Sequence, residues 1–304
     1  MLNKILILTG GPVKKLEAFV KPADELGLNV TLASFYDLEF ENKKDSNEFK
    51  LTVQGKDLVN FDLIYIRMVG KRLEDATMVV NYAKDKKIKI VDKAYEDSLF
   101  IPSTISKAME MKKLIEAGIP LPETYFGSLY LIKEKVAKIL GFPFVLKSTS
   151  GKKARDAWLV DDNETLDFLV SQLREREKMG DRFFWQKLIK ATQRIRALVV
   201  GEKVIGAITR PTKWRKSYTK GMVADVEAKK GALIPVAQKY SDIAIKASNA
   251  ADLDVAGIDI LEEDKTGKLY VIEANAAPSW NLIKKDCGID VEKEILKYIT
   301  PGVW

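Results

Sequence analysis

The sequence predicts an α/β protein with three parts: an N-terminal parallel-sheet domain, a small central strand-and-helix domain and a C-terminal α+β domain. Three observations carry this reading. The first third alternates short apolar runs with stretches of helical spacing, the pattern of strands joined by helical crossovers. Near residue 98 the character changes, and proline-bounded helices precede a second set of strands. Towards the C-terminus, two apolar runs flank a polar turn and carry acidic residues at strand spacing. We divide the chain at 1–98, 99–184 and 185–304, in keeping with the two or three domains expected at this length.

In the first part, residues 4–9 form a continuous apolar run suited to a buried strand. Gly10-Gly11-Pro12 breaks it. Residues 13–26 then have Leu16, Phe19, Val20 and Ala23 at helical spacing, with Gly27 as C-cap. The two glycines lack the third of a dinucleotide-binding turn, so they read as a tight turn. Strands are expected at 29–35, 63–68 and 88–91, with a helix at 75–86. Residues 36–57 are polar and irregular, a small hairpin or a loop. Arg67, at the end of its strand, reads as a surface residue or a substrate contact.

In the middle, Pro102-Ser103-Thr104 opens a helix to Ala117 that Gly118 ends. A helix near 133–140, a strand at 144–147, a polar loop at 148–156 and a strand at 157–160 follow. Residues 163–179 are an amphipathic helix on Leu166, Leu169, Val170 and Leu173.

The last part has strands at 183–188, 196–200 and 204–209, then a basic stretch at 210–220 that carries Trp214 and Tyr218. Pro235 opens a helix to Ala251 with Val236, Tyr240, Ile243 and Ala247 inward. Residues 255–261 and 269–275 are rich in β-branched and aromatic residues, with Thr266-Gly267 supplying a turn. Side chains alternate along a strand, so Glu273 and Asn275 share a face. Antiparallel pairing about Thr266 sets Asp259 opposite Glu273. Two carboxylates and an amide oxygen on one face suit Mg²⁺, which binds carboxylates together with substrate phosphates. Without a cation the two acids are expected to repel each other. A final helix is expected at 291–298.

Composition narrows the chemistry. Hydrophobic residues make up 46% of the 304 residues, enough for a substantial core. No apolar run approaches the roughly 20 residues that span a bilayer, and the N-terminus reads as a first strand rather than a signal segment. There is no histidine, which removes histidine acid–base chemistry and the usual zinc sites. The single cysteine, Cys287, excludes an internal disulfide, fits a reducing cytoplasm and reads as a small apolar residue rather than a nucleophile. A net charge of +7 suits anionic partners. The chain carries no nucleic-acid-binding signature and no membrane segment, and its oligomeric state is left open.

From about residue 100 to 300 the chain resembles the ATP-grasp ligases, and within them the RimK-type group that joins amino acids to peptide or protein carboxylates. The resemblance is strongest in Leu253-Asp254-Val255-Ala256-Gly257-Ile258-Asp259-Ile260-Leu261, followed by Val271-Ile272-Glu273-Ala274-Asn275-Ala276-Ala277-Pro278. It implies an ATP-grasp architecture: the N-terminal domain, a central lid and a C-terminal metal-bearing subdomain. Asp259, Glu273 and Asn275 would hold two Mg²⁺ ions, or Mn²⁺, on the phosphates of ATP. Lys107 and Lys147 match the phosphate-contacting lysines, and Gly151 lies in the lid loop. Gln186, Lys187, Leu188 and Ile189 match the segment whose backbone recognises adenine. Arg196 and Arg210 match arginines near the phosphates and the acceptor carboxylate, and Arg215 matches one in the following basic loop; Arg210 and Arg215 would steady the carboxylate and the transferring phosphoryl group. The sequence departs from the pattern at Ala154 and Asp156, where the lid loop has glycines. It departs again at 186–196, which holds no acid for the ribose, and at Ser217, where an asparagine is usual.

The implied reaction is ATP-dependent ligation of a carboxylate to an amine through an acyl phosphate. The carboxylate would belong to a small molecule, a peptide or a protein tail, and the amine to an amino acid or similar partner. The alternatives are a small-molecule kinase on the same scaffold and a nucleotide-binding regulator that has lost its chemistry.

Overall fold

The structure is a computed structural model, and it describes residues 4–42, 49–97, 107–149, 156–214, 223–224 and 238–301. Strand β1 (Lys4–Thr9) is followed by a 3-10 helix (Val13–Phe19) that passes into α1 (Val20–Glu25). The helical spacing at 13–26 is real, since Leu16, Phe19 and Ala23 are all buried. It is not one α-helix, because Pro22 has no N–H to bond back into the preceding turn. Strand β2 (Asn29–Ser34) then runs parallel to β1.

Residues 36–57, read as a small hairpin or a loop, contain a small antiparallel sheet of β3 (Leu38–Asn42), β4 (Phe49–Val53) and β5 (Lys56–Asp57). The stretch is polar on average, yet Leu51 and Val53 sit at period two and are fully buried. Strand β6 (Leu63–Met68), helix α2 (Leu73–Lys86), strand β7 (Lys89–Val91) and the short α3 (Ala94–Asp97) complete the first part. The parallel sheet has the order β2-β1-β6-β7. Ile5, Leu6, Ile7 and Leu8 are all fully buried, because both faces of this sheet are covered. Leu6 and Leu8 pack towards α2, whereas Ile5 and Ile7 join a core with Ile295 and Ile299 from the far end of the chain.

The central part begins with α4 (Lys107–Glu116) and continues through β8 (Thr124–Phe126), α5 (Leu129–Leu140), β9 (Phe144–Ser148), β10 (Ala157–Val160), α6 (Asn163–Lys178) and β11 (Phe183–Lys187). The antiparallel sheet has the order β10-β9-β11-β8. Helices α5 and α6 supply Leu129, Val136, Leu166, Leu169 and Leu173 to a core around Trp158 and Trp185. Helix α6 starts where Asp162 accepts a 2.8 Å bond from the Thr165 N–H, a standard side-chain N-cap. Helix α5 begins four residues before the expected 133, its first turn anchored by buried Leu129.

The last part contains β12 (Gln193–Val200), β13 (Lys203–Pro211), the short pair β14 (Lys213–Trp214) and β15 (Val223–Ala224), α7 (Gln238–Ala250), β16 (Val255–Glu262), β17 (Leu269–Asn275), α8 (Asn281–Cys287) and α9 (Val291–Ile299). Its antiparallel sheet has the order β13-β12-β16-β17. Ile195, Ala197 and Val199 pack with Ala244 and Ala247 of α7 on one face, while Leu198 and Val200 on the other face join the core shared with β1. A polar seam ties the first sheet to this one. Buried Asp92, just past β7, accepts the backbone N–H groups of Asp254 and Val255 at 2.9 and 3.0 Å. Asp254 in turn accepts from the Tyr298 hydroxyl at 2.5 Å and the Lys93 N–H at 2.9 Å.

Candidate active site

The acids on the hairpin face each other as the alternation predicts: Asp259 pairs with Glu273 across β16 and β17. Beyond that pair the register shifts, with Ile260 opposite Val271, so Ile272 is the extra residue of a bulge. The motif's Gly257 and Pro278 have a packing reason. A Cβ on Gly257 would lie 2.6 Å from the Pro278 Cβ, so only glycine lets the chain after β17 fold back over β16. Arg67 clamps the same chain from the first sheet, donating to the Pro278 carbonyl and lying 3.8 Å over the Trp280 ring. It is therefore a packed joint rather than a surface strand end.

The expected repulsion between the two acids does not occur, because each has its own cation. Asp259, 0% exposed, accepts from Arg196 Nε at 2.7 Å and Nη2 at 2.6 Å, a two-pronged contact. Arg194 Nη1 stands 3.5 Å from the same carboxylate. Burial works against the charge on Arg196, but Asp259 outweighs it and raises the guanidinium pKa. Glu273 is paired with Lys107 at 2.6 Å, and Asn275 also hydrogen-bonds it. Burial alone would raise Glu273; Lys107, Arg196 and Asn275 overcome that and hold it down to about 2.

Lys107 opens helix α4, and Glu110, one turn on, accepts its second bond at 2.9 Å. The other oxygen of Glu110 accepts the Ala274 N–H at 2.7 Å, fastening α4 to β17. Burial opposes the charge on Lys107, but Glu273 and Glu110 more than compensate and raise its pKa. Burial raises Glu110 itself, against the pull of Lys107.

Above the acids lies a cleft between the central and C-terminal sheets. Lys107, Lys147, Gln186, Lys187, Ile189 and Glu273 line it, with Val145, Leu261 and Ile272 as apolar wall. Lys147 ends the apolar run of β9 and donates to Gln186 Oε1 at 2.6 Å; Gln186 is buried and bonds Thr124 through its amide at 2.9 Å. Burial lowers Lys147 to about 8, with Glu273 opposing and Arg194 and Lys107 adding to the shift. Of the expected residues, Leu188, Arg196 and Asn275 stand outside this wall, and Asp259 is buried and does not line it. Gly151 and Arg215 lie outside the described residues, as does the side chain of Arg210, whose backbone pairs with Arg194 at the end of β13. Gly10 fits the tight-turn reading: its N–H donates to the Met68 carbonyl at 2.6 Å, and a Cβ there would meet Val69 O at 2.0 Å. Cys287 is partly buried, its thiol 3.7 Å from the Ala207 carbonyl, and burial raises its pKa.

Glu110 and Arg194 are neighbours of the site that the sequence reading missed. Both had a signal available. Glu110 is three residues after Lys107 on a helix, and Arg194 is two residues before Arg196 on a strand, so each shares a face with a residue already selected.

Residues 104–299 match the RimK-like ATP-grasp domain. The chain belongs to the RimK-like ATP-grasp family. Human beta-citrylglutamate synthase B is 28% identical over 203 residues, covering 65% of this chain and 50% of the human one. A ribosomal protein bS6–L-glutamate ligase of Escherichia coli is 31% identical over 209 residues, 67% of this chain and 66% of that one. The chain thus spans about half the length of the citrylglutamate synthases it matches. The ATP-grasp ligase PsnB, solved with a phosphomimetic variant of its minimal precursor, Mg and ADP, superposes with a TM-score of 0.68 at 15% identity over 98% of both chains. The parallel first sheet followed by two antiparallel sheets is the ATP-grasp fold.

The donor chemistry of this RimK-like chain fits the Mg²⁺ and nucleotide that ATP-grasp ligases use. Two facing carboxylates and an amide are hard oxygen donors, and lysines reach the adjoining cleft. Among the described residues no three acidic, histidine or cysteine side chains gather into a closed cage. That suits an ion which takes its remaining ligands from water and phosphate. Arg196 and Lys107 now occupy the acid oxygens, so an incoming cation would compete with both. No helix among the described residues is long and apolar enough to cross a membrane.

Proposed function

We propose that this chain is an ATP-dependent carboxylate–amine ligase that forms an amide bond on a small-molecule, peptide or protein carboxylate. The observation that carries the reading is the placing of Glu273 and Lys107, with Asp259 beneath them, against a cleft that Lys147 also enters. Membership of the RimK-like family supports it, as do relatives named for ligating glutamate to a ribosomal protein or forming citrylglutamate.

MgATP, when bound, supplies the phosphoryl group that turns a substrate carboxylate into an acyl phosphate, which an amine converts to an amide with release of ADP and phosphate. The chain's own residues position and neutralise. Asp259, Glu273 and Asn275 would hold one or two divalent ions. Lys107 and Lys147 would hold the phosphates, and the segment from Gln186 to Ile189 would take the base against the apolar wall. Arg196 orients Asp259 through two bonds to its carboxylate. Arg210 and Arg215 are assigned to the substrate carboxylate from the family resemblance, since a guanidinium fork matches a carboxylate. The domain division at 1–98, 99–184 and 185–304 is proposed on the same basis. Without histidine or an activated cysteine, a protein-bound acyl intermediate has no nucleophile of the usual kind.

The test is a screen of amino acids and acidic peptides for ADP release, with hydroxylamine present and products weighed by mass spectrometry. A hydroxamate of one carboxylate, replaced by an amide when the matching amine is supplied, is the expected result. A phosphorylated alcohol without any hydroxamate would reject the ligase and leave a kinase. Lys147→Met should weaken ADP binding by about 1.5–3 kcal/mol, the scale of a hydrogen bond to a charged group.

A further inference from the structure

Arg194 is an unassigned cation of the cleft. It lies on β12 two residues before Arg196, so the alternation of the strand turns both guanidiniums to one face. Their situations differ. Arg196 has its Nε and one Nη closed on Asp259 at 2.7 and 2.6 Å. Arg194 Nη1 forms a looser ion pair with the same carboxylate at 3.5 Å, longer than an ordinary hydrogen bond. Among the described residues, the Nε of Arg194 is buried and meets no acceptor. A buried donor left unmatched costs about 1–3 kcal/mol, so such an atom in a ligand cleft calls for an acceptor from the ligand.

The surroundings say which kind of acceptor. Arg194 lines the same cleft as Lys107 and Lys147. Lys107 is already engaged by Glu110 and Glu273, and among the described residues the hydrogen-bond acceptor of Lys147 is the neutral oxygen of Gln186. Arg194 and Lys147 are close enough that the arginine disfavours the lysine's charge. Two cations lining one cleft, one of them with an open donor, form a receptor for an oxyanion rather than for a cation or an apolar group.

We propose that Arg194 is a phosphate-binding residue of this cleft, its guanidinium closing on the phosphate chain of the nucleotide together with Lys147. The inference rests on the nucleotide reading of the cleft. It makes Arg194 a direct contact, distinct from Arg196, which acts through Asp259.

The experiment is calorimetric titration of the full chain with ADP and with adenosine, each with Mg²⁺ and with EDTA, for the wild type, Arg194→Met and Arg194→Lys. Arg194→Met should weaken ADP binding by about 10- to 100-fold, the scale of a charge-assisted hydrogen bond. The loss should persist in EDTA and leave adenosine binding unchanged. Arg194→Lys should recover part of it, because lysine keeps the charge without the fork. Denaturation of the nucleotide-free protein should show Arg194→Met still cooperatively folded, since Arg196 keeps both its bonds to Asp259. Equal ADP affinity in wild type and Arg194→Met overturns the inference. So does a loss seen only with Mg²⁺, which would mean that Arg194 acts on the metal site through Asp259 and not on the phosphates. Wild type that binds neither ADP nor adenosine defeats the nucleotide reading itself, and this inference with it.

Discussion

Replacing Asp259 by asparagine removes one charge from a fully buried position and leaves two arginines without their counter-ion. The carboxylate is 0% exposed, holds Arg196 through two bonds of 2.7 and 2.6 Å, and has Arg194 at 3.5 Å. The amide keeps the shape but offers one acceptor oxygen and turns an NH₂ donor towards a guanidinium. Breaking a buried ion pair from one side costs about 3–5 kcal/mol. The side chains of Arg196 and Arg194 retain 21% and 29% exposure, so water recovers part of the loss. We therefore expect destabilisation of about 2–4 kcal/mol, a large share of the roughly 5–15 kcal/mol that folded proteins hold in reserve. Urea denaturation of the metal-free protein, followed by tryptophan fluorescence, measures it. A double-mutant cycle with Arg196→Met should give a coupling of at least about 1 kcal/mol between the two positions. Were the facing carboxylates of Asp259 and Glu273 repelling each other without relief, Asp259→Asn would stabilise the protein instead. A variant as stable as wild type, or a coupling near zero, would refute the reasoning.

Lys147 should make nucleotide binding proton-linked. Its pKa stands lowered to about 8 in the free protein, and a bound phosphate raises it, so affinity should be constant below about pH 8 and fall above it. Calorimetry at pH 8.5 in buffers of different ionisation enthalpy should show proton uptake that Lys147→Met lacks. Asp92 carries the opposite kind of shift: burial raises its carboxyl from 3.8 to about 8 despite two backbone N–H donors. The folded state then holds a proton that the unfolded chain releases, so stability should fall as pH rises from about 4 to 8. Asp92→Asn should remove that slope in urea midpoints compared at pH 5 and 8. Gly257→Ala should cost about 1–3 kcal/mol, the price of overpacking against Pro278, and lower the melting temperature measurably.

What lay open in the sequence was local. The apolar run of β1, the period-two alternation of β17 and the turn at Thr266-Gly267 are properties of neighbouring residues. They place Asp259 opposite Glu273 with no knowledge of the rest of the chain. Helix α6 was legible for the same reason, from four apolar residues at its spacing. The gaps had local causes as well. Pro22 divides a segment whose spacing otherwise reads as one helix, and the average polarity of 36–57 left hairpin and loop undivided because it hides the buried pair Leu51 and Val53.

By itself, then, the sequence determined the element types, the register of the acidic hairpin and the lysine at the end of β9, because each depends on contacts within a few residues or across one turn. Only the tertiary structure decided the charge state of the site. The pairing of β12 with β16 brings Arg196 onto Asp259 from 63 residues away, and the docking of α4 on β17 brings Glu110 to Ala274 from 164 residues away. It also decided that Arg194 is left with an open donor. An ion pair depends on distance and burial, and neither is written in the spacing of residues that meet only when separate sheets and helices pack.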